Sequence, residues 1–473
     1  MQGSHRNPLR VAVLADSDTR WKWGALTANR IVSDSRPGGH DPKGRDPEGR
    51  DPEGHRLSGY LLRGRATPTP RQLDEVGVRA DSLREVTAVE FLRETEREAP
   101  DVIVLALVGG AVQAVLHGLA RVAQDALLTG ATRKRPVVVT GYVGVVYEKL
   151  ADGLLLRHGA DVVLANSRQD AERFRAVYEG VGADASAVTE AALPFLGGAP
   201  YEKPYEKNGT DAKQDPYTVV FAAQPSVPET AAHRTYLLRR LAEHARLHPD
   251  REVLLKLRSK PGEHTTHIEE LPYQKLAQRI EGGLPANCRL VYGHMGEVLD
   301  RTDLLVTVSS TAALESLHRR IPTAVLTDLG VREALGNHHF TGSGCLASWD
   351  QLDAGHLPEP DERWLARQGV AADGAYEKAF DAARERVDSL LADAAAGALP
   401  PIQPYYSLST ARGYLPGILA RHHLGPDGAP LPGAPAADKD PGPVRQIVRR
   451  AARGAYRHGV QRVAPVIRRM GEL

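Results

Sequence analysis

The run Leu304-Leu-Val-Thr-Val-Ser-Ser-Thr-Ala-Ala-Leu-Glu315 says more about the architecture of this 473-residue chain than any other. Residues 304–308 are apolar except for one threonine and show no alternation, which predicts a strand covered on both faces, as in a parallel sheet. Ser309, Ser310 and Thr311 come next, residue types whose side chains accept from the first free N–H groups of a helix. A strand, a hydroxyl-bearing turn and a helix start gather unpaired N–H groups and the positive end of the helix dipole in one place, which suits an anion. Glu315, about one turn in, is placed to accept from a ribose diol, as a strand-end acid does in dinucleotide sites. Ordinary N-capping with a capping-box-like acid explains the same letters. The apolar run Ile321-Pro-Thr-Ala-Val then closes the unit.

Short apolar runs separated by longer amphipathic ones extend in both directions, the pattern of βαβ units. Strands are expected at 218–222, 252–257, 289–292, 304–308 and 323–326, and earlier at 10–15, 102–108, 136–140 and 161–165. Helices are expected at 169–180 and 377–395. The apolar stretch 102–120 is long enough to suggest a membrane span. Gly109-Gly110 and the later Gln113, His117, Arg121 and Gln124 instead predict strand, turn and helix.

Two α/β halves result. The first covers 1–196 and carries an insertion at about 36–56, where Asp-Pro-Lys-Gly-Arg, Asp-Pro-Glu-Gly-Arg and Asp-Pro-Glu-Gly-His follow one another from Asp41. Such a Pro/Gly repeat cannot build a core and is expected to be a solvated loop. Residues 197–215 are polar and read as a linker, 216–400 as the second domain, 401–428 as a segment packing back across the halves, and 429–443 as disordered.

Composition narrows the class. Two cysteines, Cys288 and Cys345, exclude a disulfide framework and a cysteine zinc site. The start, MQGSHRNPLR, has no apolar h-region and predicts no secretory signal, so a cytoplasmic protein is expected. Sixty basic residues against 59 acidic ones give +1, but the sum hides a block. Residues 444–473 hold eight arginines (including Arg445, Arg449, Arg450, Arg453, Arg457 and Arg462) against Glu472, a net +7 that leaves the rest at −6. Apolar residues recur there at three- and four-residue spacing, predicting a basic amphipathic helix suited to an anionic membrane surface, or else docked on the acidic body. Nothing in the halves supports nucleic-acid binding.

Three further groups are candidates for chemistry. Lys256, Arg258 and Lys260 end a predicted strand and could neutralise a phosphate, though a solvated basic loop reads the same way. Asp16 and Asp18 follow the first strand, at the carboxyl edge where α/β sheets place ligands, and a carboxylate there can take a hydroxyl proton. Trp21 and Trp23 offer a platform for a sugar or lipid, or simply fill the core. Gly109 and Gly110 would let an acceptor approach the backbone, or form a tight turn. Asn337-His338-His339 lacks a carboxylate partner and is not read as a metal site. There is no GxGxxG, GxSxG or Walker A motif.

Ser309-Ser-Thr-Ala-Ala-Leu-Glu315 followed by a Pro-led strand resembles the donor half of GT-B glycosyltransferases, among them lipid-A disaccharide synthase, capsule sialyltransferases and CDP-glycerol polymerases. Residues 161–167, 188–195 and Phe221-Ala-Ala-Gln-Pro225 resemble the last strand of a GT-B first domain, the segment before its crossover, and the opening strand and donor-side loop of its second. The chain as a whole resembles an actinobacterial family assigned only provisionally to the glycosyltransferases. The resemblance implies an α/β GT-B fold, two Rossmann-like domains facing across a cleft, with a basic helical tail. It implies a nucleotide-sugar co-substrate and no cofactor, and donor contacts from Gln224, Lys256, Arg258, Lys260, His294, Ser309, Ser310, Thr311 and Glu315. Asp16 or Asp18 would serve as base, with Trp21, Trp23, Gly109 and Gly110 on the acceptor side. Genes of that family often accompany nonulosonate-synthesis genes, which implies a CMP-nonulosonate donor and a cell-envelope polysaccharide or lipid-linked acceptor at the inner membrane face. Where sialyltransferase-like families carry Lys-x-His-Pro, this chain has Lys256-Leu-Arg-Ser-Lys-Pro, so Arg258 or Lys260 is the nearest cation. No Asp-x-Asp metal motif is read, and an inverting, metal-independent reaction is expected. The rivals are a UDP-sugar 2-epimerase-like enzyme and a non-catalytic sugar-nucleotide or polysaccharide-assembly binding protein.

Overall fold

The computed structural model describes residues 8–32, 55–64, 66–130, 134–144, 149–202, 216–260, 263, 271–370 and 376–433. They form two compact units, the first assembled from the segments ending at Val143, Glu148–Phe195 and Tyr376–Asp438, the second chiefly from Leu196–Ala375. The predicted basic helix at 444–473 and most of the repeat insertion lie outside the described residues.

The first unit holds seven parallel strands: β1 Arg10–Ala15, β2 Arg56–Leu62, β3 Ser82–Val86, β4 Val102–Ala106, β5 Val137–Gly141, β6 Val162–Ala165 and β7 Val188–Glu190. Their spatial order is β3-β2-β1-β4-β5-β6-β7. The second unit holds six: β8 Thr218–Ala222, β9 Glu252–Lys256, β10 Cys288–Val291, β11 Leu304–Thr307, β12 Thr323–Leu326 and β13 Leu346–Ala347, in the order β10-β9-β8-β11-β12-β13. Both are α/β sheets of Rossmann type, and two such units in one chain is the make-up of the GT-B fold. β1, β4, β5 and β6, like β8, β11 and β12, are wholly or almost wholly buried, which is why their sequences are continuous apolar runs.

In each sheet the first strand lies between the second and the fourth, so the order reverses at β1/β4 and again at β8/β11. Connections leaving the two strands at such a point diverge to opposite faces and open a crevice at the carboxyl ends. The crevice in each unit is where the site residues must be sought.

Four strands had no visible signal. β2 contains Ser58 and Gly59, and the insertion expected to reach residue 56 ends earlier, since Arg56 already pairs with Arg10. β3 is an edge strand with Leu83, Arg84 and Glu85 exposed, and β7 and β13 have three and two residues.

The expected boundary at 400 is corrected. Residues 376–400 pack on the first unit, where Tyr376 donates to Leu193 O at 2.6 Å, Arg30 pairs with Glu377 and Arg384 donates to Arg30 O. The expected helix at 377–395 begins as a 3-10 turn, Glu377–Phe380, and becomes α-helical at Asp381–Ala396. The segment expected to bridge both halves stays on the first as well. Arg135 donates to Pro400 O, His117 lies 2.9 Å from Tyr406 O, and Tyr406 donates to Asp152. Residues 429–433, expected to be disordered, are ordered, with Leu431 N donating to His423 O. The start of the expected linker belongs to the second unit, for Arg319 donates to Gly197 O and Tyr201 N donates to Arg319 O.

The stretch 102–120 resolves into β4 and a helix, Gly109–Leu128. No helix among the described residues is long and apolar enough to cross a membrane.

Candidate functional site

In the second unit every sequence-predicted donor residue but Glu315 lies at the carboxyl edge of the sheet, at the end of a strand or on the loop that leaves it. Gln224 follows β8, Lys256 ends β9 with Arg258 and Lys260 just beyond, His294 follows β10, and Ser309–Thr311 follow β11. The parallel sheet accounts for this, since β10, β9, β8 and β11 are consecutive neighbours with their carboxyl ends on one side.

At the β8/β11 reversal, Gln224 Oε1 accepts from Ser309 N at 3.0 Å and lies 3.2 Å from Ser309 Oγ, whose proton goes to Leu335 O at 2.6 Å. Thr307 Oγ1 accepts from Ser310 N, and Ser310 Oγ accepts from Ala312 N. The hydroxyls of Thr307, Ser309 and Ser310 therefore shape the turn, and Ser309 is 3% exposed. Ser310 and Thr311 remain half-exposed at the start of the helix Ala312–His318, where Thr311 makes no side-chain cap bond. Glu315 is 8% exposed on that helix.

The three expected phosphate cations differ. Lys256 is buried and its ammonium donates to Leu257 O at 2.9 Å. Arg258 is half-buried, and Lys260 is exposed, 5.8 Å from the Tyr292 ring centre. His294 N-caps the helix Met295–Leu299, with its ring where a Cβ on Gly296 would stand. Asn337 is fully buried and fastens Leu326 O, Gly330 O and Arg332 N, a loop-stapling role.

The first unit repeats the design at its β1/β4 reversal. Asp16 Oδ2 accepts from Val108 N at 2.9 Å, and Asp16 Oδ1 pairs with Arg20 Nη1 at 2.8 Å. Ser17 N-caps the helix Asp18–Ile31, with half-exposed Asp18 in its first turn. The Asp-x-Asp spacing unread in the sequence does occur at Asp16-Ser-Asp18, and also at Asp438-Lys-Asp440 outside the described residues. Both Asp16 oxygens already have partners. Trp21 and Trp23 correct the expected acceptor platform: they are 0% and 1% exposed, one against Gly59 and the other against Gly141. A Cβ on either glycine would stand less than 3 Å from the indole, so the residues are paired for packing. The space beside Gly109 is likewise filled by Leu156 at 2.8 Å, so close packing accounts for this glycine where acceptor access was expected.

Sequence reasoning missed three buried arginines. Arg157 joins Leu107 O, Gly141 O and Gly153 O around the β4 and β5 ends. Arg234 reaches the carbonyls of Gln224, Pro225 and Pro228. Arg319 holds Gly197 O, Gly296 O and Asp300. Arg234 left a signal: it shares the face of Leu237, Leu238 and Leu241, an apolar stripe bearing one cation.

Among the described residues His244, His248 and Asp353 stand close enough to share a cation. Asp353 Oδ2 already accepts from Arg240 at 3.0 Å, and Arg251 lies 3.3 Å from His244 Nε2. Two guanidiniums supply the positive charge, and the group is an ion-pair network. Burial holds His117, His158, His244 and His422 below the ordinary histidine pKa of 6.5. The folded state is thus the weaker proton binder. The stability these neutral rings confer is complete above about pH 6.5 and is lost as pH falls below it. The thermal midpoint should fall between pH 7.5 and 5.5, with a slope of at most about 1.4 kcal/mol per pH unit for each histidine. A midpoint that stays level over that range would contradict it.

Residues 11–390 match the family model described as "Putative glycosyltransferase (DUF6716)", and the chain belongs to that family. No curated protein matches. Solved structures with likeness to the chain include the UDP-GlcNAc 2-epimerase from Neisseria meningitidis bound to UDP-GlcNAc (10% identity, 81% of this chain and 100% of that one, TM-score 0.46). The glycosyltransferase SnogD from Streptomyces nogalater is 14% identical over 83% of this chain and 100% of its own, with a TM-score of 0.35. The UDP-GlcNAc 2-epimerase from Methanocaldococcus jannaschii is 11% identical over 81% and 99%, with a TM-score of 0.42. At such distances neither activity transfers to this chain.

Proposed function

We propose that this chain moves a sugar from a nucleotide-activated donor, a CMP-nonulosonate, to a cell-envelope polysaccharide or lipid-linked acceptor, with inversion and without an obligatory metal, at the inner face of the membrane. The observation that carries the reading is the convergence of Gln224, Lys256, Arg258, Lys260, His294 and Ser309–Thr311 on the carboxyl edge around the β8/β11 reversal, in a chain of a glycosyltransferase family. A nucleotide sugar presents the partners such a rim needs. Its phosphates take N–H and hydroxyl donors from the Ser310–Thr311 turn and charge from Arg258 or Lys260. Its ribose diol takes the Glu315 carboxylate. Cations at the phosphate also stabilise the leaving nucleotide as the glycosidic bond breaks.

Thermal-shift measurements with CMP, CDP, UDP and GDP test the donor. Stabilisation confined to CMP is expected, and stabilisation confined to UDP would overturn the nonulosonate assignment. Glu315→Gln should weaken CMP binding about tenfold, the value of one charge-assisted hydrogen bond; unchanged affinity would remove Glu315 from the site. Transfer should survive EDTA, and a divalent-ion requirement would end the metal-independent version. Donor incubated alone should give no epimer, which separates this reading from an epimerase.

A further inference from the structure

We infer that Tyr406 and Tyr414, gathered on the Asp152 carboxylate, form a subsite for a neutral sugar ring of the acceptor glycan. This rests on the glycosyl-transfer reading. Trp21 and Trp23 do not supply the expected aromatic platform, since both are buried. The segment that returns to the first unit supplies one in their place.

Asp152 stands on the helix Leu150–Leu155, which follows the carboxyl end of β5. Its Oδ1 accepts from Tyr406 Oη at 2.9 Å and its Oδ2 from Tyr414 Oη at 3.4 Å. The two rings meet edge to face with centres 5.3 Å apart, and Tyr405 extends the row at 5.4 Å from Tyr406. The row runs outward, for Tyr405 and Tyr406 are half-buried and Tyr414 is 43% exposed. Its backbone is fastened to the helix Gly109–Leu128, with His117 Nε2 2.9 Å and Gln113 Nε2 3.4 Å from Tyr406 O.

The row also lies at the edge where the acceptor is expected. Tyr414 is the N-cap of the helix Leu415–Ala420, whose Ile418 Cγ2 is 3.7 Å from where a Cβ on Gly110 would stand. Val108, two residues before Gly110, donates its N–H to Asp16. The helix that Tyr414 begins thus packs at the β4 end to which Asp16 is bonded.

The chemistry of the group selects its ligand. Burial, and after it the Asp152 carboxylate, push both phenols above the ordinary tyrosine value of 10.0, so each keeps its proton and directs it to the carboxylate. The lone pairs left on the phenol and carboxylate oxygens are acceptors, and the exposed Tyr414 ring is apolar. A sugar ring matches both, with O–H donors on its rim and C–H groups on its face. The carboxylate holds both rings before the sugar arrives, so little side-chain freedom is lost on binding. Among the described residues the partners of Asp152 are phenols and not cations. A second anion is therefore repelled, and a hexose or N-acetylhexosamine fits where a uronate or nonulosonate does not.

Surface-plasmon binding of the full chain to immobilised oligosaccharides ending in hexose, N-acetylhexosamine, glucuronate or nonulosonate tests this. Neutral ends should bind about tenfold tighter than acidic ones, and Tyr414→Ala should lose about tenfold on the neutral ends. Tyr414→Phe, which keeps the ring, should stay within about threefold of wild type. In both variants CMP affinity should hold within about twofold and the thermal midpoint within about 2 °C, which a loss through misfolding would not allow. Wild-type affinity in Tyr414→Ala, preference for acidic ends, or no binding to any member would overturn the subsite and leave the transferase reading standing. A chain that no nucleotide stabilises and that turns over no donor would end that reading and the acceptor role with it, whatever glycan Tyr414 holds.

Discussion

Arg157→Met should lower the thermal midpoint of the first unit by about 10 °C. Arg157 is 4% exposed, with Nε donating to Gly141 O at 3.0 Å, Nη1 to Gly153 O at 2.7 Å and Nη2 to Leu107 O at 3.1 Å. Its guanidinium lies 4.0 Å from the centre of the Tyr142 ring. Methionine keeps much of the stem's apolar contact and removes every donor, so three carbonyls inside the unit lose their partner. An unpaired buried acceptor costs about 1–3 kcal/mol. Relief of the buried charge offsets part of that, since burial already holds the guanidinium pKa below its usual value. A net loss of about 3–4 kcal/mol remains, and a unit of this size shifts by about 2–4 °C per kcal/mol. Arg157→Lys should not rescue it, because one ammonium cannot reach three carbonyls on three separate segments of the chain. Differential scanning calorimetry with hydrogen exchange at β4 and β5 checks the result. A shift below about 2 °C would mean that water replaces the guanidinium.

The same arginine marks where sequence reasoning stops. β8 and β12 were legible to the residue because a strand buried on both faces must be an unbroken apolar run, and Thr218–Ala222 and Thr323–Leu326 are such runs. β3 was not, because at the sheet edge Arg84 and Glu85 face water and the run dissolves. Loop residues that carry chemistry were legible by position, since any residue just past a parallel strand lands on the carboxyl edge. Asp16, Gln224, Lys256 and Ser309 all do so. What each side chain does there was not legible. Ser309 has the same letter whether it meets a ligand or Gln224, and Trp21 reads alike as platform or core. Distances of 85 residues, as between Gln224 and Ser309, and 293, as between Gln113 and Tyr406, carry no local signature. The return of residues 376–433 to the first unit was legible only in part: 401–428 was expected to pack back, though across both halves, and 376–400 was expected in the second domain. It rests on side-chain pairs between residues far apart in sequence, such as Arg30 with Glu377 and Tyr406 with Asp152, and on hydrogen bonds to carbonyls, none of which marks either stretch by itself.

Arg234→Met should weaken nucleotide binding by the second unit about 30-fold, although Arg234 sits behind the donor edge. Arg234 is 2% exposed and lies 4.3 Å from the Tyr273 ring centre; its Nη1 donates to Pro225 O at 3.0 Å and lies 3.4 Å from the carbonyls of Gln224 and Pro228. It thus holds the loop on which Gln224 reaches across the β8/β11 reversal to Ser309. Without it that loop gains conformers in which the amide no longer holds the Ser309–Thr311 turn, and a ligand must reorder the turn on binding. Two kcal/mol of added ordering cost corresponds to about a 30-fold loss. The consequence is a coupling that simple destabilisation does not predict. If Arg234 acts through the loop, Gln224→Leu should cost a similar factor, and the double variant little more than either alone. Calorimetric titration of CMP into the four proteins measures the cycle. Additive losses would show that Arg234 merely supports the fold of the second unit, and coupled ones that it positions Gln224 for the donor.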